Sequence, residues 1–268
     1  MNDRMELQTL TTTLDEGVLV ITLNRPAKLN AWTYQLHTEL HRSVSEATLA
    51  EDVDAIVLTA TGKGFCAGAD MSAVFGLTEQ QKQQARADAK THEWVGLVRR
   101  SKPMIAAVNG AAIGIGVTLI LPMDQIITVP DAKFGLSFVK MGLVPEMAGS
   151  NMLQRRVGYG AASRILLTGD TLTAQEALEI SLVDRVVDSD SLLGEAKDLA
   201  RRMGRNPRTA AQETKRLLTE NGMESDLGKV QQREVEALTR CYASAEHKEA
   251  VSAFMSKREP DFRSARQR

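Results

Sequence analysis

The chain has 268 residues, of which 43% are hydrophobic and 25% charged, so it can bury a core of ordinary size. Its formal net charge of -1 gives no overall field that would draw it to nucleic acid or to an anionic membrane, and neither is expected as a partner. Two cysteines cannot form a disulfide framework. Together with an N-terminal segment unlike a signal peptide, this predicts a cytoplasmic protein.

Strands and helices are predicted to alternate in the first part of the chain. Two apolar-rich runs within residues 6–23 flank a glycine turn and predict a β-hairpin. An amphipathic helix is expected at residues 32–49 and a buried strand at residues 53–59. One helix is predicted over residues 80–100. Few apolar side chains occur in residues 78–90, which indicates a mobile flap over a pocket.

Short strands and then helices are predicted for the rest of the chain. The strands are expected at residues 104–108, 125–129, 133–139 and 183–187. Before the last strand, helices are expected at residues 151–157, 161–167 and 173–180; after it, they are expected at 192–203, 209–218 and 227–255. This order predicts an α/β core in residues 1–190 and a helical region in residues 191–268.

Two glycine-rich loops each follow a strong strand and precede a helix. The first covers residues 62–70 and the second residues 109–116. Taken alone, the second loop is better explained as a turn that packs a helix against a sheet. Backbone N–H groups from two such loops can, however, converge on one oxygen atom and form an oxyanion hole. The pair of loops is therefore more informative than either loop by itself.

Several other kinds of site are excluded by spacing. Leu119 stands where a dinucleotide-binding loop needs its third glycine, and the chain has no Gly-Lys-Ser/Thr phosphate loop and no Gly-x-Ser-x-Gly turn. His37 and His41 share one helix face, but Thr38 replaces the glutamate that follows the first histidine in zinc proteases. No metal site is therefore expected.

Acid–base chemistry near the loops would need a carboxylate, and the candidates are Asp70, Asp124 and Glu146. The two aspartates could as easily cap a helix or face solvent. Glu146 lies in an otherwise apolar loop of small residues, where a raised pKa would suit proton transfer. It fits equally well as an acid in the first turn of a helix, stabilised by the helix dipole. The residues alone favour neither explanation.

Taken together, seven segments make the chain resemble the crotonase (enoyl-CoA hydratase/isomerase) superfamily over nearly its whole length. They are residues 24–31, 64–70, 107–114, 134–135, 142–145, 167–170 and 254–262. The resemblance implies a crotonase-like α/β spiral of ββα units and acyl-CoA thioester substrates. It also implies a helical C-terminal region that drives assembly into a homotrimer or hexamer. No separate cofactor is implied, because coenzyme A is part of the substrate.

The resemblance also assigns residues to the site. The backbone N–H groups of Ala69 and Ile115 would form the oxyanion hole for the thioester carbonyl. The residues that would line the cleft for coenzyme A are Ala27, Lys28, Ala67, Asp70 and Gly114.

Two positions depart from the pattern of the hydratases in this superfamily. Their two catalytic glutamates fall on Thr118 and Phe138 here, and neither side chain can act as a general base. Glu146 instead falls where a subset of Δ3,Δ2-enoyl-CoA isomerases carries a single catalytic acid. The resemblance therefore implies conversion of a 3-enoyl-CoA to a 2-enoyl-CoA with Glu146 as acid and base. The alternatives are a hydratase or another enolate reaction on CoA thioesters, and a non-catalytic acyl-CoA-binding protein.

Overall fold

A computed structural model describes residues 7–267, in which the larger of two β-sheets has six strands. They are β1 (Leu10–Asp15), β2 (Val18–Leu23), β3 (Ala55–Ala60), β5 (Met104–Val108), β7 (Gln125–Thr128) and β10 (Arg185–Val186). Across the sheet their order is β1-β2-β3-β5-β7-β10. The β1–β2 pair is the predicted antiparallel hairpin, and every following pair is parallel.

The smaller sheet packs the remaining strands in the order β4-β6-β8-β9. Their bounds are β4 (Gly64–Cys66), β6 (Ala111–Ile113), β8 (Lys133–Gly135) and β9 (Thr171–Thr173). The first three are parallel, and β9 is antiparallel to β8. From β3 to β8 the chain alternates between the two sheets and gives one strand to each sheet in every turn. The predicted α/β spiral is therefore confirmed.

Helices surround the two sheets and make up the C-terminal part of the chain. They are α1 (Tyr34–Leu49), α2 (Glu79–Asp88), α3 (Trp94–Arg100), α4 (Ile115–Thr118), α5 (Gly149–Thr168), α6 (Ala174–Glu179), α7 (Leu192–Gly204), α8 (Arg208–Asn221), α9 (Leu227–Ala243), α10 (Ala245–Met255) and α11 (Phe262–Arg266). Within residues 7–267, no helix is both long enough and apolar enough to cross a lipid bilayer.

The core lies between the larger sheet and the helices that cover it. All residues of β3 and β5 are buried, as expected for parallel strands covered on both faces. On one of these faces α1 contributes Leu36, Leu40 and Val44, whose helical spacing places them on one side. Although α7 follows residue 190, it packs against β2, β3 and β5. The division of the chain at that residue stays a prediction.

The single helix predicted over residues 80–100 is wrong. The chain breaks after α2 at Lys90, whose φ is 51°, passes through a 3-10 turn at Thr91–Glu93 and restarts as α3. The cause is a long-range contact. Trp94 is fully buried, and its indole N–H donates to the carbonyl oxygen of Leu119 at 2.9 Å. Since α2 has no buried side chain, it stays outside while α3 enters the core.

Other boundaries differ from the prediction as well. The strand expected at residues 133–139 ends at Gly135 and is followed by a 3-10 turn, Ser137–Met141, which brings Phe138 back toward the interior. The helix expected at residues 227–255 is two helices. Ser244 ends α9 and caps α10, because its hydroxyl oxygen accepts the backbone N–H of His247 at 3.1 Å.

Candidate active site

The two predicted glycine loops lie side by side because they follow neighbouring parallel strands. Gly64 of β4 is paired with Ala111 of β6, so both chains leave the sheet at the same edge. Gly116 packs directly on the first loop. A Cβ atom added there would lie 2.6 Å from the carbonyl oxygen of Cys66 and 2.9 Å from its Cβ, which is too close for any side chain.

Each loop presents one backbone N–H without a partner among the residues described. Gly68 accepts a hydrogen bond from the N–H of Trp32 at 2.8 Å, and Asp70 donates to the Trp32 carbonyl at 2.9 Å. The intervening N–H of Ala69 therefore points to the other side. The N–H of Ile115 belongs to the first residue of α4, which has no intrahelical acceptor. Two free donors on adjacent loops can hold one oxygen anion.

Ala69 and Ile115 both line a cavity of about 790 Å³. Most of its wall is apolar, with Trp32, Met71, Phe75, Val95, Phe138 and Met147 among the larger side chains. A concave, largely apolar cavity with few polar groups is typical of sites that hold small organic molecules. The free N–H donors are therefore placed where a ligand carbonyl can reach them.

The predicted flap contributes to this wall. Arg86 of α2 lines the cavity, as do Thr91 and His92 of the following turn. Arg86 forms no hydrogen bond or ion pair with residues 7–267 through its guanidinium group. The sequence did not indicate its place in the site, since α2 shows no apolar periodicity that would orient it. The mobility expected for residues 78–90 stays a prediction.

Glu146 also lines the cavity, and it is the one carboxylate among the described residues that do so. It is accessible from the cavity, yet the surrounding protein removes enough water to raise the pKa of its carboxyl group. Three weaker effects oppose this rise: the hydroxyl of Thr118 donates to Oε1 at 3.2 Å, the backbone N–H of Glu146 itself donates to the carboxyl group, and the positive charge of Arg86 favours the carboxylate. A carboxyl with a raised pKa is suited to proton transfer.

The backbone that carries Glu146 is bent by two unusual residues. Met147 and Ala148 both have positive φ, 51° and 53°, although neither is glycine. The turn is closed by the N–H of Gly149, which donates to the carbonyl oxygen of Glu146 at 2.9 Å. Helix α5 begins only at Gly149. Glu146 therefore precedes the helix, and its alternative interpretation as an acid of the first helical turn is wrong. Strained backbone of this kind clusters at functional sites.

The two positions that the resemblance assigns to hydratase glutamates are filled differently here. Phe138 lines the cavity beside the second loop, since a Cβ atom on Gly114 would lie 3.9 Å from its Cζ. Thr118 is fully buried and does not line the cavity. An apolar ring and a buried hydroxyl thus replace two carboxylates.

Only some of the residues predicted to line the cleft for coenzyme A lie in the wall of the cavity. Ala67 and Gly114 line the cavity. Ala27 and Lys28 lie outside its wall, exposed on the 3-10 turn Pro26–Lys28. That turn is nevertheless adjacent to the cavity wall. Leu29, which directly follows the turn, accepts a hydrogen bond at its carbonyl oxygen from the N–H of Ala67 at 3.1 Å. Contact of these residues with coenzyme A stays a prediction.

Asp70, the fifth of these residues, is held by protein groups. Its carboxylate accepts hydrogen bonds from Arg25 at 2.9 Å, from the Ser72 hydroxyl at 2.8 Å and from the Ala73 N–H at 3.3 Å. The guanidinium of Arg25 is the main reason that the pKa of Asp70 falls to about 2. The ion pair between Asp70 and Arg25 thus connects the first glycine loop to the segment before α1.

Replacing Asp70 with asparagine should destabilise the fold. The substitution leaves Arg25 without its counter-charge, and we expect a loss of about 1–3 kcal/mol in the free energy of unfolding at neutral pH. The pKa of Asp70 is lower in the folded protein than its ordinary value of 3.8. The difference in unfolding free energy between wild type and variant should therefore be complete above pH 3.8 and should vanish as the pH falls toward 2. Urea unfolding of wild type and Asp70→Asn across this range measures it. An equal loss at both ends of the range would contradict the role of the ion pair.

Comparison with known proteins agrees with this architecture. The family model described as enoyl-CoA hydratase/isomerase matches residues 13–266. The crystal structure of an enoyl-CoA hydratase from Bacillus anthracis superimposes with a TM-score of 0.88 at 30% identity, over 96% of this chain and 99% of that one.

Similar curated proteins include both hydratases and an isomerase. The 2,3-dehydroadipyl-CoA hydratase of Escherichia coli (strain K12) is 34% identical, over 92% of this chain and 96% of that protein. The 1,2-epoxyphenylacetyl-CoA isomerase of the same organism is 32% identical, over 93% of this chain and 96% of that protein. The family model covers most of the chain, and both relatives are more than 30% identical over nearly their whole length. The chain therefore belongs to the enoyl-CoA hydratase/isomerase family.

Proposed function

We propose that the protein moves the double bond of an unsaturated acyl-CoA from C3–C4 to C2–C3, with Glu146 as the single acid and base. The observation that carries the proposal is the composition of the cavity. Among its described lining residues, one carboxylate faces the same space as the free N–H groups of Ala69 and Ile115.

The chemistry of this isomerisation suits one carboxylate. The thioester oxygen accepts hydrogen bonds from Ala69 and Ile115, and the carboxylate of Glu146 removes a proton from C2. The electrons of the broken C–H bond pass into a dienolate, whose negative charge lies on the oxygen held by the two N–H groups. Glu146, now a carboxylic acid, returns the proton to C4, and the carbonyl re-forms with the double bond between C2 and C3. No atom is gained or lost.

Hydration is the alternative, and the names of most relatives favour it. Adding water to a 2-enoyl-CoA requires a group that orients and activates the water molecule. Thr118 is buried away from the cavity with its hydroxyl directed at Glu146, and Phe138 offers only an apolar ring. These two residues support isomerisation over hydration.

The two reactions are separated by product analysis. Purified protein is incubated with a 3-enoyl-CoA and, separately, with the corresponding 2-enoyl-CoA, and the products are resolved by liquid chromatography and mass spectrometry. We expect the 3-enoyl substrate to yield the 2-enoyl isomer of identical mass. Efficient formation of a 3-hydroxyacyl-CoA from the 2-enoyl substrate would instead support a hydratase. Tight binding of both thioesters without turnover would support a non-catalytic acyl-CoA-binding protein.

We also propose that the chain works in the cytoplasm as a homotrimer or hexamer. The C-terminal helices leave large apolar side chains uncovered in the single chain; on α9 and α10 these are Leu227, Val235, Leu238, Tyr242, Val251, Phe254 and Met255. A second copy of the chain is the proposed cover for this surface. Light scattering should give three or six times the chain mass of 29.3 kDa, and a monomer would contradict the proposal.

A further inference from the structure

We infer that Thr118 positions the Glu146 carboxyl group for proton transfer and fixes which of its oxygens meets the substrate. The inference rests on the proposed function of Glu146, and it concerns a residue that does not line the cavity. Thr118 is thus a positioning residue, acting on the reaction only through the acid that it holds.

The hydroxyl of Thr118 has two acceptors within reach and one hydrogen to donate. Its Oγ1 lies 3.2 Å from Oε1 of Glu146 and 3.4 Å from the carbonyl oxygen of Ile115. No side chain of the described residues donates to Oε2 of Glu146. The backbone N–H of Glu146 itself also donates to the carboxyl group. Since Thr118 holds Oε1, Oε2 is the oxygen to which no described side chain donates, and it is the one that removes the C2 proton. Both distances exceed the usual O–H···O length, and catalytic hydrogen bonds commonly shorten once substrate is bound.

The rotamer of Thr118 is held by its methyl group. A Cβ atom on Gly149 would lie 2.7 Å from Cγ2 of Thr118 and 3.1 Å from Cβ of Pro145. Gly149 therefore leaves room for the threonine methyl where any larger residue would displace it. Because the methyl is confined on this side, the hydroxyl on the same carbon is directed toward Glu146. The same Gly149 closes the turn that carries Glu146, so one packing contact orients both partners.

The second acceptor accommodates the change of charge during the reaction. While Glu146 is a carboxylate, the hydroxyl donates to a charged oxygen, which makes the stronger hydrogen bond. When the C2–H bond breaks and the proton joins Oε2, that charge is lost and the Ile115 carbonyl becomes a competing acceptor. When the proton passes to C4, the carboxylate attracts the hydroxyl again. Thr118 keeps its own proton throughout.

The charged groups around Glu146 determine in which direction its pKa should change when the Thr118 hydroxyl is removed. The other ionisable groups on the cavity wall are Arg86 of α2, His92 of the turn that follows and Tyr34 of α1, and the charge of Arg86 favours the carboxylate. The hydrogen bond from Thr118 favours it as well, against the effect of desolvation. Removing the hydroxyl should therefore raise the pKa of Glu146. Because the reaction starts from the carboxylate, activity should then fall at a higher pH when the solution is acidified.

The test compares Thr118→Val, which keeps the branched shape without the hydroxyl, with Thr118→Ser, which keeps the hydroxyl. We expect Thr118→Val to lower kcat about 10- to 100-fold, the range for a hydrogen bond to a charged group, with little change in KM. Its acidic limb in the pH profile should move to higher pH. Thr118→Ser should keep the wild-type limb and a larger share of the rate than Thr118→Val, because its hydroxyl remains although no methyl group confines it. An unchanged rate and limb in Thr118→Val would overturn the inference.

Gly149 offers an independent test of the same contact. Gly149→Ala should displace the methyl of Thr118 and lower kcat, although Gly149 does not line the cavity. In the double variant Thr118→Ser/Gly149→Ala the methyl is absent, so the shortest contact of the added Cβ is removed while the one with Cβ of Pro145 remains, and part of the lost rate should return. Equal losses in Gly149→Ala and in the double variant would contradict the positioning by this contact.

A readout without turnover separates this inference from the proposed function. Infrared titration of protein labelled with carbon-13 glutamate follows the carboxyl band of Glu146, which Glu146→Gln identifies by its loss. A higher pKa in Thr118→Val supports positioning even if the wild type isomerises no thioester, in which case only the proposed reaction is wrong. An unchanged pKa overturns the positioning role whatever the activity.

Discussion

Glu146→Gln should abolish nearly all double-bond isomerisation while acyl-CoA binding persists. Glutamine has nearly the same shape as glutamate, but its amide cannot accept the proton from C2. A positioned acid–base group contributes about 10²- to 10⁴-fold to a rate, and in the proposed reaction one group serves both proton transfers, so a loss near the upper end is expected. Steady-state kinetics should show the fall in kcat, and calorimetric titration should show a dissociation constant for product within a few-fold of wild type.

Isotope transfer gives a sharper measure of the same role. If one carboxyl group removes the C2 proton and returns it to C4, a substrate deuterated at C2 should deliver part of its deuterium to C4. Glu79→Gln is the matched control, since Glu79 is an exposed acid on α2 that pairs with Lys82 and does not line the cavity. Wild-type rate and deuterium transfer in Glu146→Gln would show that another group is the base.

The pH dependence should carry the signature of the same residue. Desolvation raises the pKa of Glu146 above the ordinary glutamate value of 4.5, so the free enzyme loses its carboxylate at a higher pH than an exposed glutamate would. We therefore expect kcat/KM to decline on acidification before the exposed acids of the protein titrate. This limb should be missing from the residual activity of Glu146→Gln.

Local patterns predicted the parts of this site that local chemistry determines. A buried strand followed by glycines is visible in the sequence at Cys66 and again at Gly114, and both loops lie where the pattern placed them. The helix predicted over residues 173–180 is a further example, since Thr173 and Glu176 form a capping box where α6 begins. In each case the residues that form the feature are neighbours along the chain.

What the sequence did not predict depends on contacts between distant residues. Thr118 and Glu146 are 28 positions apart. In the sequence, the threonine shows only that a hydratase glutamate is missing, and its hydrogen bond to Glu146 is visible only in the structure. Arg86 reaches the cavity because the chain breaks before Trp94, and that break follows from a bond to Leu119, 25 positions away. Tertiary contacts of this kind override helical periodicity, which by itself indicated one continuous helix.

Ile115→Pro should remove one of the two oxyanion donors without unfolding α4. Proline lacks the N–H, yet it is tolerated at the first position of a helix, where that N–H has no intrahelical partner. Loss of one such donor typically lowers kcat about 10²- to 10³-fold. Ile115→Ala is the control, because it removes the same side chain and keeps the N–H. If both variants lose activity equally, the side chain rather than the backbone donor is responsible.

The manner of the loss should also differ from that in Glu146→Gln. In the proposed reaction, loss of the Ile115 N–H makes the dienolate less stable and slows its formation, but Glu146 still carries the proton from C2 to C4. We therefore expect Ile115→Pro to reduce the rate while the fraction of deuterium transferred from C2 to C4 stays near that of wild type. Glu146→Gln should remove the transfer itself. A lowered transfer fraction in Ile115→Pro would mean that the second glycine loop also positions the acid. The contact that could transmit such an effect is the Thr118 hydroxyl, which lies within hydrogen-bonding distance of both the Ile115 carbonyl and Oε1 of Glu146.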